Sequence, residues 1–177
     1  MTKYIALLRG INVSGQKKIP MAELRELLSK SELEQVQTYI QSGNVIFQSS
    51  EKDKGILEIK IHNAIKKHFG FEVSILVLMP EELQQIFDNC PFPQEKKEKS
   101  YFMMLFSKAE KAKVDEISKL SYPNEEFQIT DCCVYFYCSV GYGKAKFSNN
   151  FFERKLKIIA TARNYNTMVK LLSLSAE

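Results

Sequence analysis

The chain has 177 residues and a formal net charge of +4, with 45% hydrophobic and 26% charged residues. This length fits one substantial domain or two small ones, and the hydrophobic fraction excludes a disordered chain. No apolar run approaches the roughly 18 residues that a membrane-spanning helix needs. The apolar run at 4–8 is too short for a secretory signal. We therefore expect a cytoplasmic protein with no membrane association.

Local signals in the first half predict a strand, a helix, two strands, a helix and a strand. Pro20 suits the first turn of a helix, where no backbone N–H is needed. The Ser-Gly-Asn turn at 42–44 separates two strand-like runs and indicates a tight hairpin. Gly70 ends the helix that begins at Asp53. The predicted strands lie at 4–8, 36–41, 45–49 and 71–78, and the second helix has an apolar stripe at Leu57, Ile61, Ala64, Ile65 and Phe69.

The second half repeats this order after a helix that starts at Pro80 and a connector at 90–99. Strands are predicted at 100–106, 126–130 and 133–140, a short extended segment at 159–162, and helices at 108–120, 151–158 and 167–174. We therefore predict an α+β fold of two ferredoxin-like βαββαβ subdomains packed as a pseudo-duplicated pair. Their predicted boundaries are 1–79 and 80–177, and the second subdomain includes the connector helix and the C-terminal helix.

The positive charge is concentrated near the C-terminus. The segment 139–176 contains a single acid, Glu153, and seven basic residues: Lys144, Lys146, Arg154, Lys155, Lys157, Arg163 and Lys170. Such asymmetry indicates a site for phosphate or nucleic acid. The alternative is a solvated, lysine-rich amphipathic helix.

Signatures of catalysis and metal binding are absent from the sequence. Three of the four cysteines lie within one strand-like segment, and no C-x-x-C motif occurs, so we expect reduced cysteines and no metal site. The two histidines, His62 and His68, are distant in sequence from that segment. No G-x-S-x-G, H-E-x-x-H or Walker A motif is present. We predict no cofactor and no catalytic residues, which favours a binding protein over an enzyme.

Two polar loops carry the remaining candidate chemistry. Gly10 and Gly15 have the spacing of a P-loop, but Gln16 stands where a P-loop has lysine. The first loop is then either an anion site, formed by backbone N–H groups with Arg9 and Lys17, or a structural loop. The last loop, 161–167, contains Arg163, whose planar fork suits a carboxylate or phosphate. Alternatively, Arg163 is buried and ties the loop to backbone carbonyls or an acid. Asn166 or Thr167 is the expected N-cap of the final helix.

Three segments resemble one known family. They are 7–13 (LLRGINV), 38–47 (TYIQSGNVIF) and 160–167 (ATARNYNT), and they resemble the bacterial domain of unknown function 1697 family. The resemblance implies a two-subdomain α+β fold of ferredoxin-like halves and a cytoplasmic bacterial protein, with no established activity. This chain has Tyr165 where the family commonly has Trp, which keeps an aromatic ring but loses the indole N–H donor.

The polar residues of these segments form the candidate site. We predict that they converge on one anion-favouring surface that binds a phosphate-bearing small molecule or a nucleic acid. Two alternatives remain: an enzyme of unknown class with a pocket near the same motifs, using Asp131 or Cys132, or a structural protein whose motif residues only lock the two subdomains. The predicted ligand-binding residues are Arg9, Asn12, Ser42, Asn44, Arg163, Asn164, Asn166 and Thr167.

Overall fold

The computed structural model describes all residues from 1 to 177, and its first sheet has four antiparallel strands. The strands are β1 (Thr2–Leu8), β2 (Glu34–Tyr39), β3 (Asn44–Ser49) and β4 (Ile75–Leu78), in the order β2-β3-β1-β4. Two helices, α1 (Met21–Ser29) and α2 (Lys54–Phe69), connect them. This order of elements and strands is that of a ferredoxin-like βαββαβ unit.

The second helix forms as its end signals predict. The Asp53 carboxylate accepts hydrogen bonds from the N–H groups of Gly55 and Ile56, at 2.8 and 3.2 Å, so it caps the N-terminus. Gly70 ends the helix with a left-handed φ of 82°. Four of the five residues of the predicted apolar stripe are confirmed: Leu57, Ile61 and Ile65 are fully buried in the core of this sheet and Phe69 packs against it, whereas Ala64 is only partly buried.

The second sheet repeats the first. Its strands are β5 (Tyr101–Leu105), β6 (Glu125–Ile129), β7 (Cys133–Cys138) and β8 (Ala160–Asn164), all antiparallel and in the order β6-β7-β5-β8. The helices that follow β4 in the chain are α3 (Pro80–Asp88), α4 (Gln94–Lys97), α5 (Lys111–Ile117), α6 (Asn149–Leu156) and α7 (Tyr165–Ala176). The predicted α+β fold and the repeated order of elements are thereby confirmed.

Aromatic side chains fill the core of the second sheet. Phe136, Phe147 and Phe152 are fully buried, and the Phe147 ring lies 4.6 Å from the Phe127 ring, measured between centroids. Rings of this size bury large apolar areas and favour tilted or edge-to-face contacts. This half can therefore build a core although its helices α5 and α6 are short.

Several predicted boundaries differ from those observed. The strand predicted at 71–78 is confined to β4, and the helix predicted at 108–120 is confined to α5. Leu120, the last residue of the predicted helix, lies beyond the end of α5 and is 40% exposed. A 3₁₀ turn, Tyr142–Lys144, occupies the glycine-containing loop before α6. Pro123 lies soon after Leu120 and disfavours a helical conformation for the residue before it.

The chain divides into two compact units. The first unit comprises residues 1–84 and 170–177, and the second comprises residues 85–169. The predicted subdomain boundaries, 1–79 and 80–177, stay a prediction, because a division by compactness does not establish which segments fold independently. No helix combines the length and apolar character that spanning a bilayer requires.

Candidate functional site

The first polar loop is a miniature β-hairpin. The Asn12 N–H donates to the Lys17 carbonyl at 3.1 Å, and the Gln16 N–H donates to the Val13 carbonyl at 2.9 Å. The two residues at its tip, Ser14 and Gly15, have φ values of 51° and 74°. Positive φ at both central positions defines the type I′ turn that suits the twist of a hairpin. The glycine spacing that resembles a P-loop is thus explained at Gly15 by turn geometry.

Asn12 ties this hairpin to its surroundings. Its Nδ2 donates to the carbonyls of Ile19 and Gln41, at 3.0 and 2.8 Å, and its Oδ1 accepts from the Ile19 N–H at 2.8 Å. Because a side-chain amide has two donor hydrogens and a carbonyl acceptor, it can replace a peptide group in such a network. The predicted ligand-binding residue Asn12 therefore uses both ends of its side chain on the backbone.

The Ser-Gly-Asn turn lies directly against the first loop. The Leu8 N–H donates to the Gly43 carbonyl at 2.8 Å. Asn44 is fully buried, and its Nδ2 donates to the Tyr39 carbonyl at 3.1 Å and to the Ser42 hydroxyl at 2.9 Å. Within the first unit, the structure therefore brings two of the three motif segments together. Their convergence with the third segment stays a prediction.

A polar cleft opens beside this pair of turns. Its volume is about 360 Å³, and Asn12, Lys18, Pro20 and Gln41 are among the residues that line it. It adjoins the first turn of α1, where Pro20 provides no side-chain cap. The N-terminus of a helix favours negative charge. Glu23 already supplies negative charge in the first turn of this helix.

Arg163, a residue of the second unit, is buried. It lies on β8, is 6% exposed, and its Nη1 donates to the Thr161 hydroxyl and to the Ala162 carbonyl, both at 2.8 Å. Burial lowers the pKa of the guanidinium to about 10, so the group remains charged at neutral pH. Its burial and its hydrogen bond to a backbone carbonyl agree with the alternative in which a buried Arg163 ties the loop to backbone carbonyls or an acid. A ligand-binding role for Arg163 stays a prediction.

The N-cap prediction for the last helix was wrong. The Asn164 Oδ1 accepts a hydrogen bond from the Thr167 N–H at 2.9 Å, and α7 begins at Tyr165. Because β8 runs directly into α7 without a loop, the residue that precedes the helix is Asn164 and neither Asn166 nor Thr167. Thr167 is buried, whereas Asn166 is exposed.

A group of exposed cations stands apart from the motifs. Between residues 144 and 157 five exposed basic residues form no ion pair, whereas Lys96 pairs with Glu126 at 2.7 Å and Lys108 pairs with Asp131 at 3.2 Å. We call these five residues the basic surface: Lys144, Lys146, Arg154, Lys155 and Lys157. Exposed cations with one acid among them leave a positive potential that attracts anions.

The basic surface extends along one helix. Lys144 and Lys146 precede α6, Arg154 and Lys155 lie in its last turn, and Lys157 is its C-cap residue. An eight-residue helix is about 12 Å long, so the cations are spread over more than one phosphate diameter. A cleft of about 430 Å³ lies beside the helix and is lined by Asn150, Glu153, Arg154, Lys157, Ile158 and Ile159. The distribution of charge along the sequence predicted this segment, but only the positions of the side chains show that its cations form no ion pair.

Asp131 and Cys132, the residues named for the enzyme alternative, contact other side chains of the second unit. Asp131 pairs with Lys108, and the Cys132 thiol is exposed, 3.9 Å from the Thr130 hydroxyl. The histidines lie on α2, where His62 Nδ1 is 2.8 Å from the Val73 carbonyl oxygen. No group of three or more His, Cys, Asp or Glu side chains is arranged to hold a metal ion.

The fold and these sites define an α+β protein of two ferredoxin-like units. The chain belongs to the family of proteins of unknown function DUF1697, whose profile matches residues 1–135. That range contains the first two motif segments, and the third lies beyond it. The solved structure of the conserved bacterial protein SP0830 from Streptococcus pneumoniae is similar, with a TM-score of 0.73 and 26% identity over 100% of this chain and 99% of that chain. No curated protein matches the sequence. The predicted family is thereby confirmed.

Proposed function

We propose that the protein binds the phosphate backbone of a nucleic acid through the basic surface. The observation that carries this proposal is the run of exposed cations from Lys144 to Lys157, none of which is paired with a carboxylate. An unpaired cation can neutralise a phosphate and release its counterion without first breaking an ion pair of its own.

The spread of the cations favours a ligand with several phosphates over one with a single phosphate. A site for one phosphate brings donors together on one point, whereas these side chains are distributed from the 3₁₀ turn to the end of α6. Phosphate contacts of this kind supply affinity and orientation but carry no sequence information. Binding is therefore expected to depend little on base sequence.

The predicted motif surface is the rival site. Several of its residues bond to the backbone, as the hydrogen bonds of Asn12 and the N-cap role of Asn164 illustrate. We therefore assign these residues a role in holding turns and helix ends. A small phosphate-bearing ligand at the motif residues remains the alternative that the experiment must separate from the basic surface.

Binding of labelled single-stranded and duplex oligonucleotides, measured by fluorescence anisotropy over a series of salt concentrations, tests the proposal. The variant carries Arg154→Ala and Lys155→Ala. Each cation that contacts a phosphate makes the negative slope of log K against log salt steeper by about one unit. The slope of the double variant should therefore be shallower than that of the wild type by about two units. The charge-matched control carries Lys111→Ala and Lys119→Ala, which are exposed lysines of the same unit outside the basic surface.

Two results would contradict the proposal. Oligonucleotide binding that does not depend on salt would show that the cations do not neutralise phosphates, and equal losses in the variant and the control would indicate nonspecific charge effects. A third variant, Arg163→Met, addresses the rival site: binding that is lost in this variant while its circular dichroism spectrum and Tm are unchanged, but kept in the Arg154 and Lys155 variant, would indicate a ligand at the motif residues.

A further inference from the structure

We propose that strand β6 forms an interface between two copies of this chain, joining their second sheets into one continuous antiparallel sheet. β6 is an edge strand, because the order of this sheet is β6-β7-β5-β8. An edge strand presents backbone donors and acceptors that can pair with another strand. This inference is independent of the proposed nucleic-acid binding.

The register identifies which backbone groups of β6 point outward. The Ser139 N–H donates to the Asn124 carbonyl, and the Thr130 N–H donates to the Cys133 carbonyl, both at 2.9 Å. Antiparallel bonding alternates, so residues 126 and 128 also bond to β7. The N–H and C=O groups of Phe127 and Ile129 therefore face away from the sheet.

Exposed apolar side chains lie beside this open edge. Leu120 and Tyr122 are 40% and 37% exposed and precede β6 directly in the chain. A groove of about 450 Å³ runs along the strand and is lined by Ser118, Leu120, Ser121, Phe147 and residues 125–129. Pairing at the edge would remove part of this apolar surface from water. The edge thus offers both backbone hydrogen bonds and apolar area.

The edge has few of the devices that prevent pairing. β6 contains no lysine, no proline and no β-bulge, and its two charged side chains already have partners: Glu125 accepts from the Phe147 N–H at 2.9 Å, and Glu126 pairs with Lys96 at 2.7 Å. By contrast, β2, an edge strand of the first sheet, has a register shift between Glu34 and Gln37 and a left-handed φ of 48° at Gln35. A bulge of this kind twists the strand away from a flat pairing partner.

The sequence of β6 is self-complementary in one register, and this argues for a second copy as the occupant. When Phe127 lies opposite the partner's Phe127, the two residues exchange N–H and C=O hydrogen bonds. Ile129 then donates to the carbonyl of the partner's Glu125. In this register Glu126 lies opposite the partner's Gln128, so no two carboxylates face each other. Neutral cross-strand partners avoid the repulsion that like charges cause.

Sedimentation equilibrium of the full chain, from micromolar to millimolar concentration, tests this pairing. The wild-type protein should show a monomer–dimer equilibrium. Gln128→Glu places a carboxylate opposite the partner's Glu126 at two symmetric positions and should weaken the dimer by about two- to thirty-fold. Gln128→Lys places a cation there and should strengthen the dimer. The control is Gln37→Glu, the same change at an exposed position of β2.

Hydrogen exchange supplies a second measurement at the level of single residues. The amides of Phe127 and Ile129 should exchange more slowly as protein concentration increases, because they become hydrogen-bonded only in the dimer. A protein that stays monomeric at millimolar concentration would overturn the proposal, as would a dimer that responds equally to Gln128→Glu and Gln37→Glu. Amides that exchange at the same rate at all concentrations would also overturn it.

Discussion

Gly43→Ala is predicted to destabilise the first unit because two separate costs meet at this position. Gly43 has a φ of 87°, a conformation that residues with a Cβ atom rarely adopt. A Cβ built there would lie 2.6 Å from the Leu8 Cβ and 2.9 Å from the Leu8 carbonyl oxygen. Leu8 is fully buried at the end of the central strand β1, so it cannot easily move aside.

The two costs can be estimated from the geometry. Placing alanine in the left-handed region costs about 1–2 kcal/mol. Overpacking a well-filled core costs about 1–3 kcal/mol more, so the free energy of unfolding should decrease by about 2–5 kcal/mol in total. Gly10→Ala is the matched control: its φ is 70°, but no atom lies within 4 Å of the added Cβ. That variant should lose only the backbone part, about 1–2 kcal/mol.

Urea unfolding followed by circular dichroism measures both variants, and hydrogen exchange of the β1 and β3 amides assigns the loss to the first unit. For a chain of this length, each kcal/mol corresponds to a decrease of about 2–4 °C in Tm. If Gly43→Ala costs no more than Gly10→Ala, the close approach of Leu8 contributes nothing, and the reasoning from the contact geometry is refuted.

Three further predictions concern other sites. Asn12→Ala should lower the free energy of unfolding by about 1–3 kcal/mol, because backbone groups lose their partners; unchanged urea unfolding would contradict this. Burial raises the pKa of Tyr135 and Tyr142, so the folded state keeps protons that the unfolded chain releases, and stability should decrease as pH increases above about 10. An absorbance titration in which all tyrosines ionise together below the unfolding pH would refute this. Cys132 is exposed, whereas Cys133 is buried with its pKa raised well above the usual value, so a thiol reagent should modify Cys132 first, which mass spectrometry can check.

Elements with strong local signals were predictable from the sequence. Asp53 and Gly70 bracket α2 because each residue satisfies a backbone requirement at its own position. The hairpin at 42–44 has the same local origin. These signals act over a few residues, so the sequence contains all the information that they need, and the order of elements follows from them.

Features that depend on how segments meet were not predictable in the same way. The miniature hairpin from Asn12 to Lys17 lacks a typical Asn-Gly or Asp-Gly turn, and it is held by hydrogen bonds to distant residues such as Gln41. The N-cap at Asn164 follows from the direct passage of β8 into α7. The open edge at β6 follows from strand order, which no local pattern specifies.

Three asparagines of the motif segments perform the same physical task. Asn12, Asn44 and Asn164 each use a side-chain amide where the chain reverses or a helix begins. Because an amide side chain replaces a peptide group, such residues preserve local backbone geometry and require no ligand. The fold therefore gives a reason for an asparagine at each of these positions, and a ligand-binding role for them stays a prediction.

Family membership accounts for the motif segments of the first unit but does not extend to the basic surface. Lys144 to Lys157 lie outside the residues 1–135 that the family profile matches. If these cations bind a nucleic acid, the binding belongs to a part of the chain that family membership does not describe. Substitutions in the basic surface should then change binding and leave the unfolding of the first unit unaltered, whereas substitutions at Asn12 or Gly43 should do the reverse. Loss of both properties from either set would show that the motifs and the basic surface act as one site.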